Sequence, residues 1–387
     1  MPPPGIGLSD LTVIQLGQGI PSAYCAKLLA DLGATVLYVE PPNGDPLRRT
    51  NHALFGYLNT NKQSVTLDIT KPKSGSLLLK LLRRADVFIT EHQSREARRL
   101  QLHYTALHKA NPRLIVTSIT PFGQRGPHAN WKANDFIATH IGGVAYGNAP
   151  WVADLENHPS LTAPAQIASF YAGLTAATAA IAATFARRQN GYGQQVDISM
   201  QEAVASNMRH DVATALWTGQ TPVRQIGYVA PTTINTQQPT ADGFIAFMLR
   251  TERNWAPLME LLGNPEWSKA PLFQNPRELS THWDGLKDLL GQETRKWPTQ
   301  KLYESAQAKG VSAAPIATVA DASKNTQFLG RNFFVESPSG LRQPGAPVKF
   351  GEPLWRIGPA PALGAHTQAA LGLSKREHAQ LRREGIV

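Results

Sequence analysis

A carboxylate, an imidazole and a hydroxyl are the side chains best placed to do chemistry. Asp135 and His140 share the stretch "WKANDFIATHIGG" (Trp131–Gly143). Five positions separate them, about one and a half helical turns. Either group suits a general base, although a lone histidine in an apolar helix equally suits a satisfied core position. Ser169 lies in "LTAPAQIASFYAGLTAATAAIAATFARRQNGYGQQVDIS" (Leu161–Ser199), in the turn before a helix of small residues. A hydroxyl is neutral at pH 7 and becomes a nucleophile only beside a base. Serine before a helix also reads as an N-cap. No Asp or Glu occurs between Glu156 and Asp197, so this stretch holds no carboxylate of its own.

The chain carries 38 Lys and Arg against 28 Asp and Glu, a net charge of +10. That excess favours anionic partners. The basic residues are scattered, with no basic tail and no recognition-helix or RNP-like pattern, so nucleic acid is not the expected partner. A phosphate-rich small molecule fits the charge at least as well. One cysteine, Cys25, excludes an intramolecular disulfide framework and a cysteine-based zinc site, and no metal is expected. Hydrophobic content of 42% and charged content of 17% suit a globular chain. The apolar run Ala172–Phe185 reads as too short and too rich in Ala and Thr to span a bilayer. The start "MPPPGIGLSD" lacks a basic region followed by an apolar one. A cytoplasmic protein without a membrane partner is therefore expected.

These residues need a scaffold, and the alternation of patterns predicts one. "LTVIQLG" (Leu11–Gly17) reads as a first strand, Ser22–Leu32 as a helix stopped at Gly33, and "TVLYVE" (Thr35–Glu40) as a second strand. Strand, helix and strand within about 30 residues make a parallel unit. "SVTLDI", a helix over Ser74–Arg84, "DVFIT" and "LIVTSIT" continue it into an α/β, doubly wound sheet. "GQGIPS" after the first strand lacks the third glycine of a dinucleotide fingerprint. Ala163–Arg188 reads as helix and "GQQVDIS" as strand. The texture turns polar and turn-rich near Pro222. A second, smaller α+β domain is expected over residues 222–320.

Six stretches together resemble the class III CoA-transferases, the group that includes formyl-CoA, carnitine-CoA and benzylsuccinyl-CoA transferases and α-methylacyl-CoA racemases. They are "AYCAKLLADLGATVLYVEPPNGDPLRR", "YLNTNKQSVTLDI", "RADVFITEH", "NPRLIVTSITPFGQRGP", "GYGQQVDISMQEA" and "APALGAHTQAAL". The likeness covers essentially the whole chain in order. It implies a Rossmann-like large domain built from both ends of the chain, 1–221 and its return at 321–387, with the smaller domain inserted between them, an interlocked dimer, and coenzyme A along the large domain as the bound thioester.

The resemblance also implies roles. Contacts to CoA fall on Gln18, Ile20, Pro21 and Ala23 after the first strand, on Lys62, and on His92, Gln93 and Arg99 after "DVFIT". The family's Asn-x-x-Pro-Gly is replaced there by "EHQSREARR". Lys132 matches a lysine at the cofactor, Asp135 an acidic residue near the reacting carboxylate, and Arg48 an arginine able to reach a CoA phosphate or an acyl carboxylate. Asn134 stands where the racemases have a catalytic histidine. The family's nucleophilic aspartate falls on Ser169. An aspartate suits that task because its acyl anhydride is reactive enough for CoA thiolate to recapture, whereas a serine ester is not. Three readings follow. The chain is the non-nucleophilic partner of an Asp-bearing paralogue in a heterodimer or heterotetramer moving CoA between carboxylic acids. Alternatively it is an enzyme, such as a homodimer, with altered acyl-CoA chemistry (hydrolase, isomerase or lyase) using Asp135, His140 and Ser169. The third is a CoA-binding protein without catalysis.

Overall fold

A computed structural model describes residues 7–147, 165–220, 229–230, 233–275, 278–279 and 281–387. The described chain divides into two compact units, one built mainly from the N-terminal part to Pro222 plus Asn332–Val387, the other mainly from Val223–Arg331. The chain thus re-enters the first unit at Asn332 rather than at 321.

Six parallel strands form the first unit's sheet: β1 (Thr12–Leu16), β2 (Thr35–Glu40), β3 (Gln63–Thr66), β4 (Val87–Thr90), β5 (Ile115–Thr120) and β6 (Gln195–Ser199). Their order is β3-β2-β1-β4-β5-β6. Side chains alternate between two cores, as a pleated sheet covered on both faces requires. Val13, Val36, Val87 and Ile115 enter one core; Ile14, Leu37, Phe88 and Val116 enter the other.

The α-helices that precede the second unit's sheet are, in chain order, α1 (Ile20–Asp31), α2 (Leu47–Thr50), α3 (His52–Leu58), α4 (Ser74–Leu82), α5 (Ser94–Arg99), α6 (Tyr104–Ala110), α7 (Asp135–Ile141), α8 (Val144–Gly147), α9 (Ile167–Asn190), α10 (Met200–Ala205) and α11 (Arg209–Thr218). The first core lies between the sheet and α1 and α9. The second includes α4, α6 and the chain's last residues, Ile386 and Val387. The C-terminal return is stitched to β3, where the Thr66 N–H donates to Thr367 Oγ1 at 2.9 Å.

Small residues let α9 sit close to α1. Ala168, Ala172, Ala176, Ala180 and Ala183 form its buried stripe. A Cβ on Gly173 would lie 2.7 Å from the Pro21 carbonyl oxygen. By length and composition α9 is apolar enough to cross a membrane, at 24 residues and a mean hydropathy of 1.4. This exceeds the expectation drawn from Ala172–Phe185. Half of the apolar window is buried, with its alanine stripe in the core beside the sheet.

In the second unit β7 (Val229–Ala230), β8 (Thr233–Pro239), β9 (Phe244–Arg250) and β10 (Ala313–Pro315) form an antiparallel sheet. Ile234, Phe247, Leu258, Leu286, Leu290 and Leu302 belong to its own core.

Candidate functional site

In the sheet order β1 neighbours both β2 and β4, so the chain reverses its winding between β1 and β4. Crevices at the carboxyl ends of such strands are where open α/β sheets bind ligands. Two cavities, of about 870 Å³ and 390 Å³, lie there, and both are lined by Gly19, Glu91 and Glu96. The larger also reaches Ile20, Pro21, Gln93, Lys132, Asp135 and Ser169. The smaller reaches Gln18, Glu40, Asp68 and His92.

Glu91, one residue past β4, shapes the wall between them. Its Oε2 accepts the Gly19 N–H at 2.9 Å and its Oε1 accepts the Ser22 N–H at 3.1 Å. These amides open α1, and a carboxylate is favoured at a helix N-terminus. Burial raises the Glu91 pKa, and the two amides offset part of that rise. The carboxylate comes so close that a Cβ on Gly19 would lie 2.5 Å from its oxygen. Sequence reading passed over Glu91, although it lies within "RADVFITEH". An acidic residue directly after a buried strand was the available signal.

His92 follows, with Nδ1 2.7 Å from Thr90 Oγ1. Burial lowers its pKa. Gln93 Nε2 donates to the Trp131 carbonyl, and Gln124 Nε2 to the His92 carbonyl. These bonds tie the segment after β4 to the loop ahead of α7.

At the other wall two helices begin side by side. Asn134 caps α7 by accepting the Ile137 N–H. Asp135, the first residue of α7, reaches across so that its Oδ1 accepts the Ser169 backbone N–H at 2.7 Å. Ser169 is therefore not the N-cap expected from the sequence. The cap is Gln166, in the left-handed region at φ 55° and without a side-chain bond, and Ser169 sits inside the first turn. Ala165 is also left-handed, at φ 66°. Two consecutive non-glycine residues in this region store strain of the kind found at functional sites. Asp135 supplies the side-chain acceptor that Gln166 does not.

Other candidates stand elsewhere. His140 Nδ1 contacts the Phe136 carbonyl at 2.7 Å, and the ring is not among the residues lining either cavity. Lys62 is a correction to the expected cofactor contact. It is 3% exposed, and its ammonium donates to Gln15 Oε1, the Ala23 carbonyl and Asn59 Oδ1, leaving no hydrogen for a ligand. Burial lowers its pKa well below the usual lysine value. Ala23 is likewise buried. Arg48 grips both carboxylate oxygens of Glu40 and donates to the Pro361 carbonyl, fastening the C-terminal return rather than facing the cavities. Arg99 is exposed and holds Glu96 only at 3.5 Å. Among the described residues no group of three or more His, Cys, Asp or Glu is placed to hold a metal.

A doubly wound α/β unit with paired cavities at its switch point, fed by two helix N-termini, belongs to the class of proteins that hold a small ligand over the sheet edge. Residues 8–367 match the family described as CoA-transferase family III, and the chain belongs to that family. It is 30% identical to the succinyl-CoA:(R)-benzylsuccinate CoA-transferase subunit BbsE of Thauera aromatica, over 90% of each chain. It is 28% identical to a succinyl-CoA–D-citramalate CoA-transferase of Chloroflexus aurantiacus, covering 96% of this chain and 92% of that one. A CAIB/BAIF family protein of Brucella suis is similar in structure, with a TM-score of 0.85 and 26% identity, over 98% of this chain and 99% of that one.

Proposed function

We propose that this chain is the thioester-binding, non-nucleophilic subunit of a hetero-oligomeric CoA-transferase, and that a related chain with aspartate in place of Ser169 supplies the nucleophile. One observation carries the reading. The carboxylate that reaches Ser169, Asp135, accepts its backbone N–H. It serves the helix rather than activating the hydroxyl. A serine without a base is a poor nucleophile, and its ester would return the acyl group to CoA slowly.

Support comes from the subunit status that names the Thauera relative and from the surface. Leu216 and Trp217 on α11 are 80% and 91% exposed, apolar area that a partner chain covers at an interface. The substrate is a CoA thioester. Lys132 lines the larger cavity, where its ammonium can meet a phosphate, and the exposed, loosely held Arg99 is a second candidate; Gln18, Ile20, Pro21, His92 and Gln93 line the two cavities. His140 has no part in this reading.

The test is complementation. The purified chain is mixed with an acyl-CoA and an acceptor acid, and CoA transfer is followed by chromatography of the thioesters. Alone it transfers nothing. Adding an aspartate-bearing paralogue restores transfer, and Asp→Asn in that paralogue removes it. Turnover by this chain alone, abolished by Asp135→Asn, overturns the proposal in favour of altered acyl-CoA chemistry.

A further inference from the structure

The charge around the larger cavity says what kind of acyl group it accepts. Its charged lining residues are Glu91, Glu96, Asp135 and Lys132, so among the described residues three acidic side chains stand against one lysine, and Glu91 and Asp135 already take the N–H groups at the heads of α1 and α9 that an anion could otherwise use. The imbalance has a source in the sequence. Residues 133–186, which supply α7 and most of α9, contain no Lys or Arg, although the chain has 38. Arg48 and Lys62 are committed elsewhere, and the exposed Arg99 is not among the residues that line the larger cavity. The rest of the lining includes Ile20, Pro21, Ile119, Pro121, Phe136 and Met200.

Resting on the reading that this cavity receives a CoA thioester, we propose that its acyl group carries no second carboxylate and is an uncharged chain. A dicarboxylic acyl group would bring its free carboxylate into a partly apolar space that already holds three. Lys132 is one cation, and a phosphate or the reacting carboxyl oxygen claims it. A second anion there would be desolvated without a partner and repelled by its neighbours. The apolar lining instead rewards a hydrocarbon chain. This would set the chain apart from the succinyl-CoA named in its relatives.

Butyryl-CoA and succinyl-CoA share a four-carbon acyl chain and differ in a terminal methyl against a carboxylate, which makes them the decisive pair. Binding of CoA, butyryl-CoA and succinyl-CoA to the full purified chain is measured by isothermal titration calorimetry. Butyryl-CoA is expected to bind at least tenfold more tightly than succinyl-CoA. The ratio should shrink in Glu96→Gln, an exposed position that folding tolerates, and in Asp135→Asn. It should shrink again at high salt, because screening weakens the repulsion. Equal or tighter binding of succinyl-CoA overturns this inference and leaves the thioester-binding reading standing. No binding of any of the three removes both.

Discussion

Glu91 lines both cavities and holds the amides at the head of α1. Glu91→Ala strands the Gly19 and Ser22 amides, two donors at the head of α1. The expected loss is about 1–3 kcal/mol, read from urea denaturation, together with weaker CoA binding as the loop after β1 loosens. A loss under about 0.5 kcal/mol would show that water replaces the carboxylate without cost. Beside it, burial holds the His92 pKa below its usual 6.5. Just below that value the folded chain binds fewer protons than the unfolded one, so this residue's contribution to stability falls as pH drops through the window. His92→Gln should flatten that part of the curve of urea midpoint against pH. An unchanged slope would count against a buried neutral imidazole. At this scale the sequence pointed to Asp135 and Ser169, and their meeting at 2.7 Å is a property of the fold. Lys62 shows the opposite outcome, since a lysine in the sequence does not reveal whether its ammonium faces a ligand or three protein acceptors.

Helix α9 carries the site by packing closely on α1. Gly173→Ala would place a methyl 2.7 Å from the Pro21 carbonyl and 3.1 Å from Tyr24 Cβ. Neither is the far end of a flexible chain, so the helices must part. About 1–3 kcal/mol of destabilisation is expected, seen as a lower thermal midpoint. A neutral or stabilising result would mean the two helices can slide. The run of alanines made this helix legible from sequence, and the strands before it were legible from their short apolar runs. The start of α9 was less so. Its first turn is set by Gln166 in a left-handed conformation and by a carboxylate 34 positions earlier, and no local rule reads a cap delivered from another helix.

The second unit has a core of its own, apart from the two on either face of the first unit's sheet, and damage to it should spare them. Leu286 is fully buried in the second unit. Leu286→Ala should cost about 2–5 kcal/mol there, while CoA affinity at the first unit's cavities, measured by calorimetry, stays unchanged. A parallel loss of affinity would show that the cavities depend on the second unit's stability.

The sequence by itself determined the doubly wound sheet and the family, because apolar periodicity and ordered motifs are local and additive along the chain. It also determined that Ser169 stands where a carboxylate was expected. Only the tertiary structure decided what the charged residues do. It turned Lys62 and Arg48 inward, placed Glu91 between two cavities, and set Asp135 on the head of α9. Charges act through space, and the distances that pair them are closed by segments far apart in the chain.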